Sequence, residues 1–414
     1  MAGRGMQTES PSLNALHYPA YVKYLAALTA HSFALQILSV AVGWQIYDIT
    51  RSAFYLALVG LVQFLPALLL VLVTGLVADR FNRRWIMGIC FAVELLCAMA
   101  LVVYSLSPQT VVWPMLAVLG VLGVARAFAG PAASALSPNL LSREALPHGI
   151  SLNSMTWQAA SITGPVLGGL LYGIGAATAY GVALALAVLA SICVVLIGHV
   201  NQAINHQDEG GMATLLAGFK FIRHEPVVLG AISLDLFAVL LGGAVALMPI
   251  YARDILEVGP LGLGMLRGAP GVGAIAMALW LAKYGVKDRA GVVLFISVAL
   301  FGFFTVVFGF STYLPLSIFA LVLMGSFDMV SVYLREVLMQ LWTPDNVRGR
   351  VNAVNSVFIG ASNELGEFRA GMVAWKLGAV TAVVVGGVGT MIVAAAWARM
   401  FPALRDARKL EGKI

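Results

Sequence analysis

Charge is scarce in this chain. Asp, Glu, Lys and Arg together make up 11% of its 414 residues, against a hydrophobic share of 60%, whereas a soluble globular domain carries roughly 25% charged residues. That shortfall excludes an ordinary water-soluble domain. Cysteine is scarcer still: Cys90, Cys97 and Cys193 all fall inside apolar runs and form no C-x-x-C pair, which argues against a disulfide framework or a thiolate metal site. They read as small core or lipid-facing residues. No G-x-x-x-x-G-K-[ST] phosphate loop is present, so ATP-driven work is unsupported, and no H-E-x-x-H or G-x-S-x-G places a hydrolytic centre. No enzyme, cofactor or bound metal is expected. What the chain has instead is a succession of long apolar runs, the composition of a polytopic helical membrane protein.

Crossing the hydrocarbon takes about 20 apolar residues, and runs of that length can be placed at 22–48, 53–78, 85–105, 110–134, 150–172, 177–198, 227–251, 260–283, 290–311, 313–338, 351–375 and 378–400. An all-α membrane protein of twelve spans is expected. Residues 1–21 form an N-terminal tail in which His17, Tyr18 and Tyr21 suit an interfacial anchor, and no cleavable signal is expected before the first span. Most basic residues, Arg80, Arg143, Lys220, Lys287, Arg350 and Arg405 among them, then fall on the side of the termini, with Arg51, Arg253 and Lys376 opposite. The positive-inside rule makes both termini cytoplasmic. The net charge of +6 is explained by those short loops, and nucleic acid is not an expected partner.

The only long polar interruption, 199–226, carries His199, His206, Asp208 and Glu209, then an amphipathic stretch through Lys220 and Arg223. It reads as a cytoplasmic linker between an N-terminal bundle at 22–198 and a C-terminal bundle at 227–400, with a cytoplasmic tail at 401–414. The halves repeat. A shift of 202 residues lays Asn153 and Ser154 on Asn355 and Ser356, Gly164 on Gly366 and Gly169 on Gly371, while a shift of 204 pairs Tyr47 with Tyr251 and Pro66 with Pro270. A near-constant offset across apolar runs is the trace of a duplicated six-helix unit.

Between the second and third runs stand Gly75, Asp79, Arg80, Arg83 and Arg84. Glycine permits close backbone approach, the aspartate suits the positive end of a neighbouring helix, and the arginines stay on the anionic side of the membrane. Any short loop there would be basic; the joint spacing resembles the signature loop of the major facilitator superfamily. The resemblance implies a conformational latch at these residues. In the fourth run Leu122, Arg126 and Gly130 keep the spacing of that superfamily's arginine motif, and a guanidinium in hydrocarbon needs a partner or water. Arg126 is equally readable as a snorkelling or bracing residue and as a substrate or coupling group. In the fifth run Gly164, Pro165, Gly168 and Gly169 resemble the antiporter motif, a bend and close-packing surface; ordinary close packing is the plainer reading.

Intramembrane ionisable groups default to a functional hypothesis. Asp235 in the seventh run and Asp328 in the tenth come first as proton carriers, because the resemblance puts both helices on the cavity. Glu364 and Glu367 cluster with Arg369 in the eleventh, where either glutamate could instead neutralise the arginine. Glu94 stands alone in the third. His31 is a cavity candidate that reads first as a hydrogen-bonded core histidine, and Arg267 would attract anions or brace an outer gate. Trp44, Phe64, Trp157, Phe237 and Phe327 could stack an aromatic or lipophilic solute, or only pack.

Pro249 to Leu256, Val258 to Pro260, Gly264, Ala269 to Gly273 and Asn363 to Phe368 are similar to the enterobactin-exporter-like branch. The resemblance covers essentially the whole chain. It implies two pseudo-symmetric six-helix bundles of the major facilitator fold in a bacterial inner membrane, acting as a monomer and exchanging protons for a siderophore-like small molecule. Its alternatives are a multidrug or macrolide efflux pump and a metal-ion exporter; the tail from Phe401 to Ile414 lacks histidine, which ranks metal low. A non-transporting membrane scaffold is the reading from another class.

Overall fold

A computed structural model describes residues 13–108, 111–198, 200, 211–286 and 288–407. Residues 1–12, 201–210 and 408–414, and with them much of the expected tails and linker, lie outside the described residues. Among the described residues the long elements are all helices: α1 (Pro19–Thr50), α2 (Ala53–Arg80), α3 (Arg83–Ser105), α4 (Trp113–Leu136), α5 (Leu146–Ile174) and α6 (Ala176–Leu196), then α7 (Gly211–His224), α8 (Pro226–Gly242), α9 (Gly259–Tyr284), α10 (Ala290–Phe310), α11 (Leu314–Trp342), α12 (Asp345–Leu377) and α13 (Ala379–Met400). The amphipathic stretch before Arg223 is α7. Among the described residues, ten segments are long and apolar enough to cross a membrane. α5 and α12 are as long, at 29 and 33 residues, but carry more polar side chains, among them Asn153, Gln158, Asn355, Glu364 and Glu367.

Local chemistry sets the boundaries. Proline opens α1, α5, α8, α9 and α11 within their first turn, where its missing N–H costs nothing. Asn82 caps α3 by accepting from the N–H groups of Arg84 and Trp85. α12 ends at Gly378, whose φ of 87° suits only glycine. The expected seventh run is not one regular helix. α8 stops at Gly242, and the chain continues through a 3-10 turn at Val245–Leu247 and a wide turn at Tyr251–Ile255. The break falls at Gly243, whose φ of 29° is left-handed and where a Cβ would stand 2.5 Å from the Gly366 carbonyl of α12, and Pro249 keeps the next turn from rejoining α8.

Packing follows the repeat. α1 packs on α5 and α6, α2 on α4, and α3 on α4 and α6; correspondingly α8 packs on α12 and α13, α9 on α11, and α10 on α11 and α13. Two large contacts join the sets, α5 with α9 and α2 with α12, and they too are equivalent. The shifted glycines occupy matching places. Gly164 meets Gln36 of α1 and Gly366 meets Val239 of α8, whereas Gly169 faces Pro260 and Gly264 of α9 and Gly371 faces Ala57 of α2. An apolar core that includes Trp44, Tyr47, Leu56, Leu247, Tyr251 and Leu266 spans both sets at the side away from the termini. Leu69, Trp85, Ile89, Val103 and Ile392 lie on the outer face, more than half exposed, where acyl chains are their solvent.

Candidate functional site

Polar side chains gather where the two bundles meet. On the N-terminal side, Gln36 and Ser39 of α1, Gln63 of α2, Arg126 of α4 and Trp157 of α5 line a cavity of about 90 Å³. Arg126 donates from Nη1 to Gln63 Oε1 at 3.0 Å. On the C-terminal side a cavity of about 190 Å³ is lined by Gly243, Phe301, Met324, Asp328, Asn363 and Glu367. Arg267 of α9 closes the gap, donating from Nη1 across the bundle boundary to Ser39 Oγ at 2.8 Å. Glu364 and Glu367 of α12 lie against Gly60 of α2, where a Cβ would come within 3.5 Å of Glu364 Oε2. Glu364 sits in the field of Arg126, and Glu367 in the fields of Arg267 and Arg126.

Four charges in a low dielectric are costly unless balanced, so their meeting at one depth is a specific feature. Arg126, in the middle of α4, is nevertheless exposed, and Trp157 is 54% exposed. Both line the same cavity on the N-terminal side. Of the two readings left open for this cluster, neutralisation of Arg369 by Glu364 or Glu367 is not made: Arg369 donates instead to the carbonyls of Leu240 and Leu241. Those carbonyls are the orphaned acceptors at the broken end of α8, and a guanidinium is the group that satisfies them.

A second charged group lies deeper in the C-terminal bundle. Arg335 Nη1 meets Asp235 Oδ2 at 2.6 Å, with both side chains buried. Asp328 lies in the wall of the larger cavity and, with Asp235 and Ser331, in the wall of a void of about 10 Å³ beside it. Arg335 escapes a first reading because its partner Asp235 lies on another helix; its spacing of seven residues from Asp328, two helical turns on one face, is the signal that finds it.

Several expected site residues stand elsewhere. Glu94 is not alone: His31 Nδ1 lies 2.5 Å from its Oε2, and the imidazole stacks on Phe91 at 4.4 Å. This pair is packed between α1 and α3, away from the cavity. Trp44 belongs to the far-side core beneath Arg253, 5.5 Å from the guanidinium carbon, and Phe64 is buried. Phe237 packs on Trp397 at 5.1 Å and Phe327 stacks on Phe304 at 5.7 Å. Of the five aromatics, only Trp157 lines a cavity described here.

The hairpin after α2 ties helix ends together. Arg83 donates to the carbonyls of Ala78 and Ala135, and Arg84 to those of Val194, Val195 and Gly198, so both cap the basic-favouring C-terminal ends of neighbouring helices. Arg80 is exposed. The close approach expected at Gly75 is not made, since a Cβ there meets nothing within 4 Å. The side chain of Asp79 lies outside those described. Within the Gly164, Pro165, Gly168 and Gly169 motif, the first and third positions pack on α1, and the last packs on α9 of the opposite bundle.

The far side is closed by charge as well as by core. Arg253 pairs with Asp48, Arg51 reaches Asp254 at 3.3 Å, and Tyr47 donates to the same aspartate. Every one of these contacts crosses from one bundle to the other. No single residue of the set is unusual in sequence, which is why it escapes notice there.

The sequence pattern of the transmembrane secretion effector family spans residues 12–411 of this chain. Enterobactin exporter EntS of Shigella dysenteriae serotype 1 (strain Sd197) is 27% identical over 384 residues, 91% of this chain and 86% of that protein. Its counterpart in Escherichia coli O81 (strain ED1a) is 26% identical over the same shares. Among solved structures, a mutant of nucleoside transporter NupG superposes with a TM-score of 0.74 at 13% identity, over 92% of this chain and 100% of that one. A bacterial homologue of the human lysosomal transporter Spinster, inward-facing and unoccupied, gives 0.73 at 14% identity, over 93% and 98%. At such identities the structures speak for the fold alone, and that fold is the major facilitator arrangement of two pseudo-symmetric bundles. With the family pattern running nearly end to end, the chain belongs to the transmembrane secretion effector family of the major facilitator superfamily, as a multi-pass transporter of the bacterial inner membrane and not an enzyme.

Proposed function

We infer that this transporter is an exporter, carrying a siderophore-like organic molecule out of the cytoplasm in exchange for protons. The observation that carries the reading is the charged cluster of Arg126, Arg267, Glu364 and Glu367 at the bundle junction, beneath a far side shut by core packing and cross-bundle ion pairs. With both termini cytoplasmic, as the basic loops favour, the cavity takes its solute from the cytoplasm. Rocking the bundles about the α5–α9 and α2–α12 contacts would open the far side and shut the near one. Intramembrane carboxyls then carry the proton: Glu364 and Glu367 in the junction, Asp328 in the adjoining wall, and Asp235 beyond it. Glu94, paired with His31 away from the cavity, is the weakest candidate. The hairpin of Gly75, Asp79, Arg80, Arg83 and Arg84 acts as a latch on the near side, so Asp79→Asn lowers turnover while leaving membrane insertion intact.

The test is accumulation in cells stripped of their own exporters, comparing a catecholate siderophore with a lipophilic cationic dye, with and without a proton uncoupler. Siderophore expulsion that stops with the uncoupler supports the reading. Expulsion of the dye alone makes this a multidrug pump, and movement of neither, in a correctly inserted protein, favours a non-transporting scaffold.

A further inference from the structure

We propose that the junction cluster is a two-sign recognition site for an amphoteric organic solute, one that offers an anionic group to Arg126 and Arg267 and a cationic group to Glu364 and Glu367. The proposal rests on the exporter reading and narrows its substrate class.

Unspent hydrogen-bonding capacity is the first ground. Each guanidinium has five N–H donors. Arg126 gives one to Gln63 and Arg267 one to Ser39, while Arg267 Nε is buried with no partner. Among the described residues, no hydrogen bond reaches the carboxylate of Glu364 or Glu367. A buried donor left open, as Arg267 Nε is, is normally completed by something else, and the half-buried carboxylates of Glu364 and Glu367 are open to accept. Charge balance is the second ground. The two arginines and two glutamates cancel, so a solute of one sign would satisfy one pair and leave the other uncompensated in a low dielectric. A solute carrying both signs leaves neither pair exposed.

Placement is the third ground. Arg126 belongs to the N-terminal bundle, whereas Arg267, Glu364 and Glu367 belong to the other. A solute held at both ends therefore spans the moving boundary, and its grip depends on how the bundles stand. Trp157, exposed in the same cavity as Arg126, offers a ring face for an aromatic body. Asp328, on the wall shared with Glu367, is the further titratable group facing the site, and it adds to the pull on the cationic end.

Three catechols that differ in charge but share a ring isolate the effect: dopamine as cation, 3,4-dihydroxyphenylacetate as anion and L-DOPA as zwitterion. Binding to the full-length protein in nanodiscs, by equilibrium dialysis at neutral pH, is expected to favour L-DOPA at least tenfold over either of the others. Glu367→Gln should move the preference toward the anion and Arg267→Gln toward the cation, with Arg267→Lys keeping the zwitterion ahead. A singly charged probe that binds as well as L-DOPA overturns the proposal; so does binding of none, or variants that weaken all three alike. Uncoupler-sensitive siderophore export in the cellular assay is read separately, so it can survive the loss of this proposal, or fail while the zwitterion preference stands.

Discussion

At the scale of single residues, the sharpest contrast is between Asp235 and Asp328. Both are intramembrane acids in the sequence, and that much was readable from an apolar run interrupted by a carboxylate. Their partners were not, because Arg335 and Asp235 lie a hundred residues apart and meet only when α8 and α11 pack. Breaking a buried pair from one side leaves an uncompensated charge, at a cost of about 3–5 kcal/mol, whereas replacing both partners by apolar groups is often neutral. Asp235→Leu should therefore lower the thermal unfolding temperature in detergent strongly, and adding Arg335→Met should restore most of it. A silent single variant would remove the pair as a stabilising unit. Asp328→Asn carries no such penalty and should instead leave stability near wild type while uncoupling solute efflux from an imposed pH gradient. The same lesson applies to Glu94 and His31, which are remote in sequence and meet between α1 and α3.

At the scale of elements, composition and run length gave the helices and most of their ends, since about 20 apolar residues is a strong signal. What composition could not give was the break after Gly242. Gly242, Gly243 and Pro249 weaken a helix here without saying where the chain turns; the close passage of Gly366 and Ala370 of α12 goes with a turn at Gly243. The glycine motif of α5 was visible in sequence, but its counterpart on α9 shows what the last glycine is for: Gly264 and Gly268 receive the backbone of Pro165, Val166 and Ile162. Small residues let helices approach when no hydrophobic effect drives them together. Gly264→Leu should thus block the closed far side, because a side chain there meets the Pro165 carbonyl at about 2.5 Å from its first carbon. The variant should insert normally and lose most transport, by the same cellular accumulation assay. Gly173→Leu, at a position with open space around its Cβ, serves as the control and should transport as wild type.

At the scale of the whole molecule, the duplicated halves, equivalent contacts and cross-bundle charges are the parts that the proposed rocking, closing one side at a time, would use. The repeat was readable from the 202-residue shift of Gly164 and Gly169, yet the ion pairs of Asp48 with Arg253 and Arg51 with Asp254 were not. Charged residues at helix ends and turns are common, and only their opposition across the boundary gives them meaning. Linking Asp48→Cys to Arg253→Cys with a short bis(methanethiosulfonate), which joins the two thiols through disulfides, in a background where Cys90, Cys97 and Cys193 are replaced by serine, should halt transport, and reduction should restore it. Unimpaired transport in the linked protein would show that the far side need not open.

The claim on which everything else depends is exchange of a proton for a solute through the junction cluster. Proteoliposomes holding the purified chain, an internal pH dye and no imposed pH gradient would report it directly when a gradient of catecholate siderophore is applied. The account predicts proton movement opposite to the solute, abolished by Glu367→Gln and absent from protein-free vesicles. Solute movement with no accompanying pH change, or the same change in the Glu367→Gln protein, would contradict it.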